Sequence, residues 1–205
     1  YFFEQKRLMH YEANLKTLRQ AGSLFNAARF EDALTIIHTL GEKDPMEYRV
    51  YYTRDSLVDE LRVLANEKFD TKDYSSAVSL YLILKKYEQP GSYQTIRQIS
   101  MCQYELGNYT ESIQAMKQLL HQFPNNIELI YSIAIINLDK LENPEEALLY
   151  FTFGKDRFSD KMSSIYGPNF KLIMDPTVAP DVYYDLFYGR ARTNMILQHY
   201  KEAAS

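Results

Sequence analysis

The residues that could carry chemistry are scattered. His10, His38, His121 and His199 stand one to a distant segment, with no metal-ligand spacing among them. Cys102 is the lone cysteine, so no internal disulfide framework exists; a small core residue on a helix accounts for it better than a reactive thiol does. There is no glycine-rich phosphate loop and no nucleophile elbow. Tyr183 and Tyr184 beside Asp181 and Asp185 form the densest polar group, and an aromatic helix start with acidic caps explains them. Other carboxylates, as in LENPEE at 141–146, fall on solvated faces. With no convergent polar cluster, the sequence predicts no enzyme activity, no cofactor and no metal.

What the chain does organise is helices. Residues 93–124, YQTIRQISMCQYELGNYTESIQAMKQLLHQFP, read as two amphipathic helices broken at Gly107 and Asn108 and ended by Pro124. Apolar positions run through Ile96, Ile99 and Cys102, then through Ile113, Met116, Leu119 and Leu120. Such a hairpin cannot bury its own apolar face and needs neighbours of its kind. The chain supplies them. A small residue three positions after a turn aromatic or proline recurs as Phe30/Ala33, Tyr74/Ala77, Tyr109/Ser112, Pro144/Ala147 and Tyr200/Ala203. Two of the intervals, 77 to 112 and 112 to 147, are 35 residues long.

The segments FEDAL (30–34), YSSAV (74–78), GNYTESI (107–113), PEEAL (144–148) and YKEAA (200–204), with closing prolines at Pro45, Pro90 and Pro124, resemble the tetratricopeptide repeat. A small residue is needed where two helices cross closely, an aromatic packs the turn, and a proline ends the second helix. The copies lack a Trp near their starts, Ile135 fills the first-helix small-residue slot of the fourth, and Ser159 replaces its closing proline. The resemblance implies an all-α, right-handed superhelical solenoid. Its repeats fall at about 14–45, 58–90, 93–124, 128–159 and 184–205, behind a leading helix at 1–13, with insertions at about 46–57 and 160–183.

In proteins of this kind the first helices line a concave groove. Carrying its slots over, the resemblance implies a partner-binding surface of Arg62, Asn66 and Phe69, then Gln94, Arg97, Met101 and Tyr104, then Leu129, Ser132 and Ile136, then Tyr188 and Arg192. Arg and aromatic side chains at such slots suit a peptide or protein segment. A carboxylate clamp for heat-shock chaperone tails is not expected. Arg62, Asn66 and Gln98 match its first requirements loosely, but Leu129 and Ile133 occupy its cationic slots. The alternative function is structural: an assembly spacer in a larger multidomain or membrane-anchored protein.

Composition agrees with a folded helical chain. Of 205 residues, 46% are apolar and 24% charged, and the net charge of −4 comes without a basic run, so no nucleic-acid partner is expected. No apolar stretch is long enough to span a membrane. A soluble, cytoplasmic segment is favoured, with a periplasmic or anchored one left open. The missing initial Met and unfinished fifth repeat suggest a piece of a longer protein, and Tyr1, Phe2 and Phe3 ahead of Lys6 and Arg7 could be the interfacial end of an upstream anchor.

Three local expectations follow. The period of Val50, Leu57, Leu61 and Leu64 favours one long helix through the first insertion. Asp73, Asn108 and Asn143 should each cap a second helix. Residues 158–181, with Gly167, Pro168, Pro176 and Pro180, cannot form one helix; their Phe170, Leu172, Ile173 and Met174 either pack back on the array or fill its groove.

Overall fold

The computed structural model describes residues 2–88, 92–166 and 181–203, and every element in them is an α-helix. The helices fall into two compact units, Tyr1–Cys102 and Gln103–Ser205. The first holds α1 (Phe2–Asn26), α2 (Phe30–Lys43), α3 (Tyr48–Asp70), α4 (Tyr74–Tyr87) and most of α5 (Tyr93–Glu105). The second holds the end of α5, then α6 (Tyr109–Gln122), α7 (Ile127–Asp139), α8 (Pro144–Tyr166), α9 (Asp181–Ile196) and the single turn α10 (Tyr200–Ala203).

The turn inside each helix pair is built the same way five times among the described residues. The residue two places before each second helix has a positive φ: Ala28 at 58°, Lys72 at 63°, Gly107 at 78°, Glu142 at 51° and Gln198 at 61°. The next residue sends its N–H back to a carbonyl in the last turn of the first helix. Arg29 donates to Leu24 at 2.9 Å, Asp73 to Lys68 at 2.9 Å, Asn108 to Gln103 at 2.8 Å and His199 to Asn194 at 2.8 Å. Asn143 reaches one residue further back, to Asn137, at 2.8 Å. This closure satisfies carbonyls that a helix end otherwise leaves open.

Rings lock three of these turns. The last residue but one of the first helix meets the first residue of the second edge-to-face, as Phe25 with Phe30 at 4.9 Å, Phe69 with Tyr74 at 5.5 Å and Tyr104 with Tyr109 at 5.5 Å. Side-chain caps are less uniform. Asp73 accepts from the Ser76 amide at 3.3 Å and Asn143 from the Glu146 amide at 3.2 Å, as the sequence predicts. Asn108 does not cap α6: its amide group donates to Gln103 Oε1 at 2.8 Å instead. A cap the sequence did not single out is Asn126, which accepts from the Leu129 amide at 3.1 Å at the start of α7.

In the first unit α1 is unbroken from Phe2 to Asn26, so the leading helix and the first repeat helix are one element. Helix α3 likewise runs unbroken for 23 residues, as the apolar period favours. From α1 to α4 each helix packs on the next, and α1 also touches α3 and α2 touches α4, the neighbour-to-neighbour stacking of a repeat array. The core is a stripe of Leu18, Ala21 and Phe25, of Ala33, Leu34 and Ile37, of Leu57, Leu61 and Ala65, and of Ala77, Tyr81 and Leu84.

In the second unit α7 is apolar on all sides and sits against α6, α8 and α9, as a helix without a polar face must. Its small residue at the crossing is Ala134, fully buried with Ala147, Phe151 and Leu186, while Ile135 lies one position aside and half-buried. Helix α8 continues to Tyr166, so part of the second insertion is helical, and α9 begins at Asp181. Pro90 and the two readings of Phe170, Leu172, Ile173 and Met174 lie outside the described residues.

Candidate functional site

The small residues set how closely the helices approach, and that spacing decides which first-helix side chains reach solvent. Ala33, Ala77, Ser112 and Ala147 are all fully buried. The residues nominated for a binding surface divide sharply under this arrangement.

Several of them serve the packing. Leu129 and Ile136 are only 8% and 3% exposed and belong to the core of the second unit. Phe69 and Tyr104 are the first-helix members of the ring pairs that lock the turns. Asn66 accepts the Tyr81 hydroxyl at 2.7 Å, tying α3 to α4. Ser132 bonds back to the Glu128 carbonyl at 2.8 Å within its own helix. The sequence missed these assignments because a groove slot and a turn contact can fall on the same helical register.

The others are available. Gln94 and Arg97 are exposed on α5, with Met101 half-buried beside them in sequence. Tyr188 is 72% exposed on α9. Arg192, four residues on, holds Asp139 of α7 at 2.8 Å and stays partly open to solvent.

Arg62 opens into a different feature. A cleft of about 830 Å³ lies in the first unit between α2, α3 and the end of α4. Its floor is an ion pair, Arg62 Nη2 to Glu88 Oε1 at 2.8 Å, and the nearly buried Glu88 also accepts the Ser92 amide at 3.3 Å. On the α4 side, the Tyr87 hydroxyl meets Thr35 Oγ1 at 2.7 Å, and its ring stands edge-on to His38 at 6.4 Å. Lys86 reaches Glu31 Oε1 at 2.7 Å, and that bond raises the lysine's pKa. The wall contributed by α3 holds Asp55 and Asp59, and Asp59 makes no ion pair among the described residues. Residues 54–62 lie across the boundary of the first insertion. The legible signal there is the largely polar run YYTRDSLVDE at 51–60, in which Leu57 alone is buried.

Tyr81 and Tyr183 are pushed up to about 12 by burial, too high to act as bases near neutrality. Glu47 is held down at about 2, chiefly by hydrogen bonding from Arg49, which also stacks 4.1 Å over the Tyr11 ring. His10 pairs with Asp44 at 2.8 Å and His38 with Glu42 at 3.5 Å, both at the C-terminal end of α2. Among the described residues no group of three His, Cys, Asp or Glu could hold a metal ion, and no helix is long and apolar enough to cross a membrane. Tyr183 and Tyr184 share no acid-base geometry: Tyr183 is a core ring, 4.0 Å from Phe158 and 4.7 Å from Phe187. Cys102 is fully buried.

Comparison with known proteins adds the following. The family model described as Tetratricopeptide repeat matches residues 97–126. No curated protein sequence matches the chain. Among solved structures, a MamA RS-1 ArsTM double mutant is similar at 12% identity and a TM-score of 0.48, over 92% of this chain and 88% of that one. MamA from residue 41 to its end, from Desulfovibrio magneticus RS-1, is similar at 14% identity and a TM-score of 0.41, over 71% and 75%. A tetratricopeptide repeat protein from Parabacteroides merdae is similar at 12% identity and a TM-score of 0.41, over 94% and 77%.

Proposed function

From the tetratricopeptide-repeat match at 97–126 and the helix-pair turn that recurs through the described residues, we propose that the chain is a tetratricopeptide-repeat protein, a non-catalytic protein–protein interaction module whose first-helix faces bind a peptide or protein segment. The observation that carries the reading is the exposure of Gln94 and Arg97 on α5 and of Tyr188 on α9, first-helix positions left over after the packing is satisfied. An exposed Arg and an exposed Tyr are the side chains that most often anchor protein interfaces, the first by paired hydrogen bonds to carboxylates and the second by rigid area.

The test is affinity capture with the wild-type chain beside two variants, Arg97→Glu and Tyr188→Ala. Both sites are exposed, so helicity and melting temperature should stay near wild type. A partner held by the wild type and lost from either variant supports the reading and locates the face. If both folded variants retain every partner, the first-helix faces are not the binding surface. The assembly-spacer reading would then move ahead, and Leu149, exposed on the second helix α8, is where its contacts would be sought.

A further inference from the structure

We propose that the added N-terminal turns of α3 form a second docking surface, separate from the first-helix slots above, that takes a Lys- or Arg-bearing segment of a partner protein. Helix α3 has 23 residues where α5 and α7 have 13 each, and the excess lies at its start. An extension that served only the stack would be apolar on the side it buries and featureless elsewhere. This one buries Val50, Leu57 and Leu61 but is not featureless elsewhere. The three clefts described in the first unit all take lining residues from 50–63, with volumes of about 830, 440 and 250 Å³.

The outer face of the extension has a definite composition. Tyr48, Tyr52, Asp55, Asp59 and Val63 recur three or four residues apart, which places them on one side of the helix, with Glu60 adjoining. Tyr48 is 74% and Tyr52 78% exposed, although burying a tyrosine ring is worth more than leaving it in water. The ionisable groups among these six residues, other than the tyrosines, are carboxylates. Of the helix's arginines, Arg54 reaches this face and neutralises Asp55, to which it bonds at 2.9 Å, while Arg49 turns to Glu47 and Arg62 to Glu88 in the cleft. Asp59 and Glu60 are left without an ion pair among the described residues, Glu60 having only the Ser56 hydroxyl at 3.4 Å.

Charge complementarity then selects the occupant. A face of carboxylates and open tyrosine rings repels nucleic acid and anionic lipid, and it offers an acidic segment no counter-charge. A guanidinium or ammonium group can reach the Asp59 and Glu60 carboxylates while a second one lies on the Tyr52 ring, whose face attracts cations. Val63 and the tyrosine edges supply apolar contact for the stem methylenes of the same side chains. Asp55 and Asp59 line both the largest cleft and the shallower one of about 440 Å³ on the outer face. A bound segment would therefore lie along their ridge with space on either side. This surface is independent of Gln94, Arg97 and Tyr188, and it stands or falls separately from them.

The experiment is fluorescence anisotropy with a labelled Arg- and Ala-rich peptide and a counterpart carrying Glu in place of Arg. The intact chain is compared with Asp59→Lys/Glu60→Lys, with Tyr52→Ala, with Arg97→Ala, and with Glu145→Lys/Asp160→Lys, a double reversal of equal charge on exposed residues of the second unit. Circular dichroism confirms that each is folded. The expected result is binding of the Arg peptide only, weakened about tenfold when attraction turns to repulsion at Asp59 and Glu60. Loss of one exposed cation–π contact in Tyr52→Ala should weaken it about two- to fivefold. Binding should be unchanged in the Arg97 variant and in the second-unit control, and should vanish near about 1 M salt, where the screening length is about 3 Å. No binding to the intact chain, equal weakening by the control reversal, or full retention by Asp59→Lys/Glu60→Lys would each overturn the proposal. Loss in Arg97→Ala with retention at Asp59 and Glu60 would place the peptide in the first-helix slots instead.

Discussion

Gly189 of α9 lies directly against the ring of Phe151 in α8: a Cβ added at 189 would stand 2.3 Å from Cε1 and 2.4 Å from Cζ. Phe151 is fully buried among Ala134, Leu138, Ala147 and Leu186, so its ring has no free space to retreat into. The two helices can cross this closely only because residue 189 has no side chain. Gly189→Ala should therefore cost on the order of 1–3 kcal/mol by overpacking, read as a lower urea midpoint. Gly22 in α1 is the matched control, since a Cβ there meets nothing within 4 Å. Gly22→Ala should gain about 0.5–1 kcal/mol by helix propensity alone. Similar effects at the two positions would show that the α8–α9 crossing is looser than its geometry.

The repeated turn gives a prediction free of steric complication. Gly107 has φ of 78°, and a Cβ at that position meets no atom within 4 Å. Gly107→Ala should still cost about 1–2 kcal/mol, all of it from the left-handed backbone. Lys72 holds the same conformation with a side chain and is exposed. Lys72→Gly should accordingly gain roughly 0.5–1 kcal/mol. Urea midpoints of the two single variants decide it, and effects of the same sign would sink the shared-turn account.

That turn also shows how far the sequence could be read. Phe30, Tyr74, Tyr109, Pro144 and Tyr200 mark its position in every copy, and the positive-φ residues Ala28, Lys72, Gly107, Glu142 and Gln198 keep the same intervals. Only one of those five is glycine, so the backbone conformation was invisible residue by residue and legible only as a repeat. The candidate surface was harder. Phe69 and Tyr104 occupy slots that face a groove in the resembled family, yet here each reaches five residues ahead to the ring that opens the next helix. A helical register states which side of a helix a residue lies on, and not which neighbour it meets there. The insertion at 46–57 was legible as helix, because Val50, Leu57 and Leu61 keep the apolar period, but a period states nothing about what the outer face meets.

Capping separates two asparagines that look alike in sequence. Asn126 Oδ1 accepts the Leu129 amide, whereas the Asn108 side chain is engaged with Gln103 and makes no cap bond to α6. Asn126→Ala should cost about 1 kcal/mol. Asn108→Ala should cost less, since one exposed side-chain bond is all it removes. Chemical denaturation of both variants gives the comparison. Equal losses would mean that Asn108 caps its helix after all.

Acid stability should depend on Glu47. It opens α3 by accepting the Arg49 amide at 3.3 Å, and its carboxylate is paired with the Arg49 guanidinium. These bonds hold its pKa at about 2, against an ordinary value of 4.5. A folded pKa below the unfolded one gives stability that is complete above about pH 4.5 and is lost as pH falls through about 2. Asp73, lowered chiefly by its bonds from Ser76, acts in the same direction. Glu47→Gln should thus reduce, without abolishing, the fall in urea midpoint across that window. An unchanged slope would remove Glu47 from the account.

Two buried tyrosines provide the last contrast. Tyr81 and Tyr183 are both sealed from solvent, and burial pushes both hydroxyls up to about 12, so a spectroscopic titration would not separate them. Their partners do. The Tyr81 hydroxyl donates to Asn66 Oδ1 at 2.7 Å, while the Tyr183 hydroxyl is buried without a hydrogen-bond partner among the described residues. Removing the first leaves Asn66 unsatisfied, so Tyr81→Phe should cost about 1–3 kcal/mol. Removing the second relieves a desolvated group and keeps the ring against Phe158 and Phe187, so Tyr183→Phe should be neutral or stabilising by about 1 kcal/mol. Urea midpoints of the two single variants distinguish these signs. A loss at Tyr183 as large as at Tyr81 would mean that its hydroxyl is satisfied in solution, and the boundary of the second unit's core near α9 would have to be redrawn around that bond.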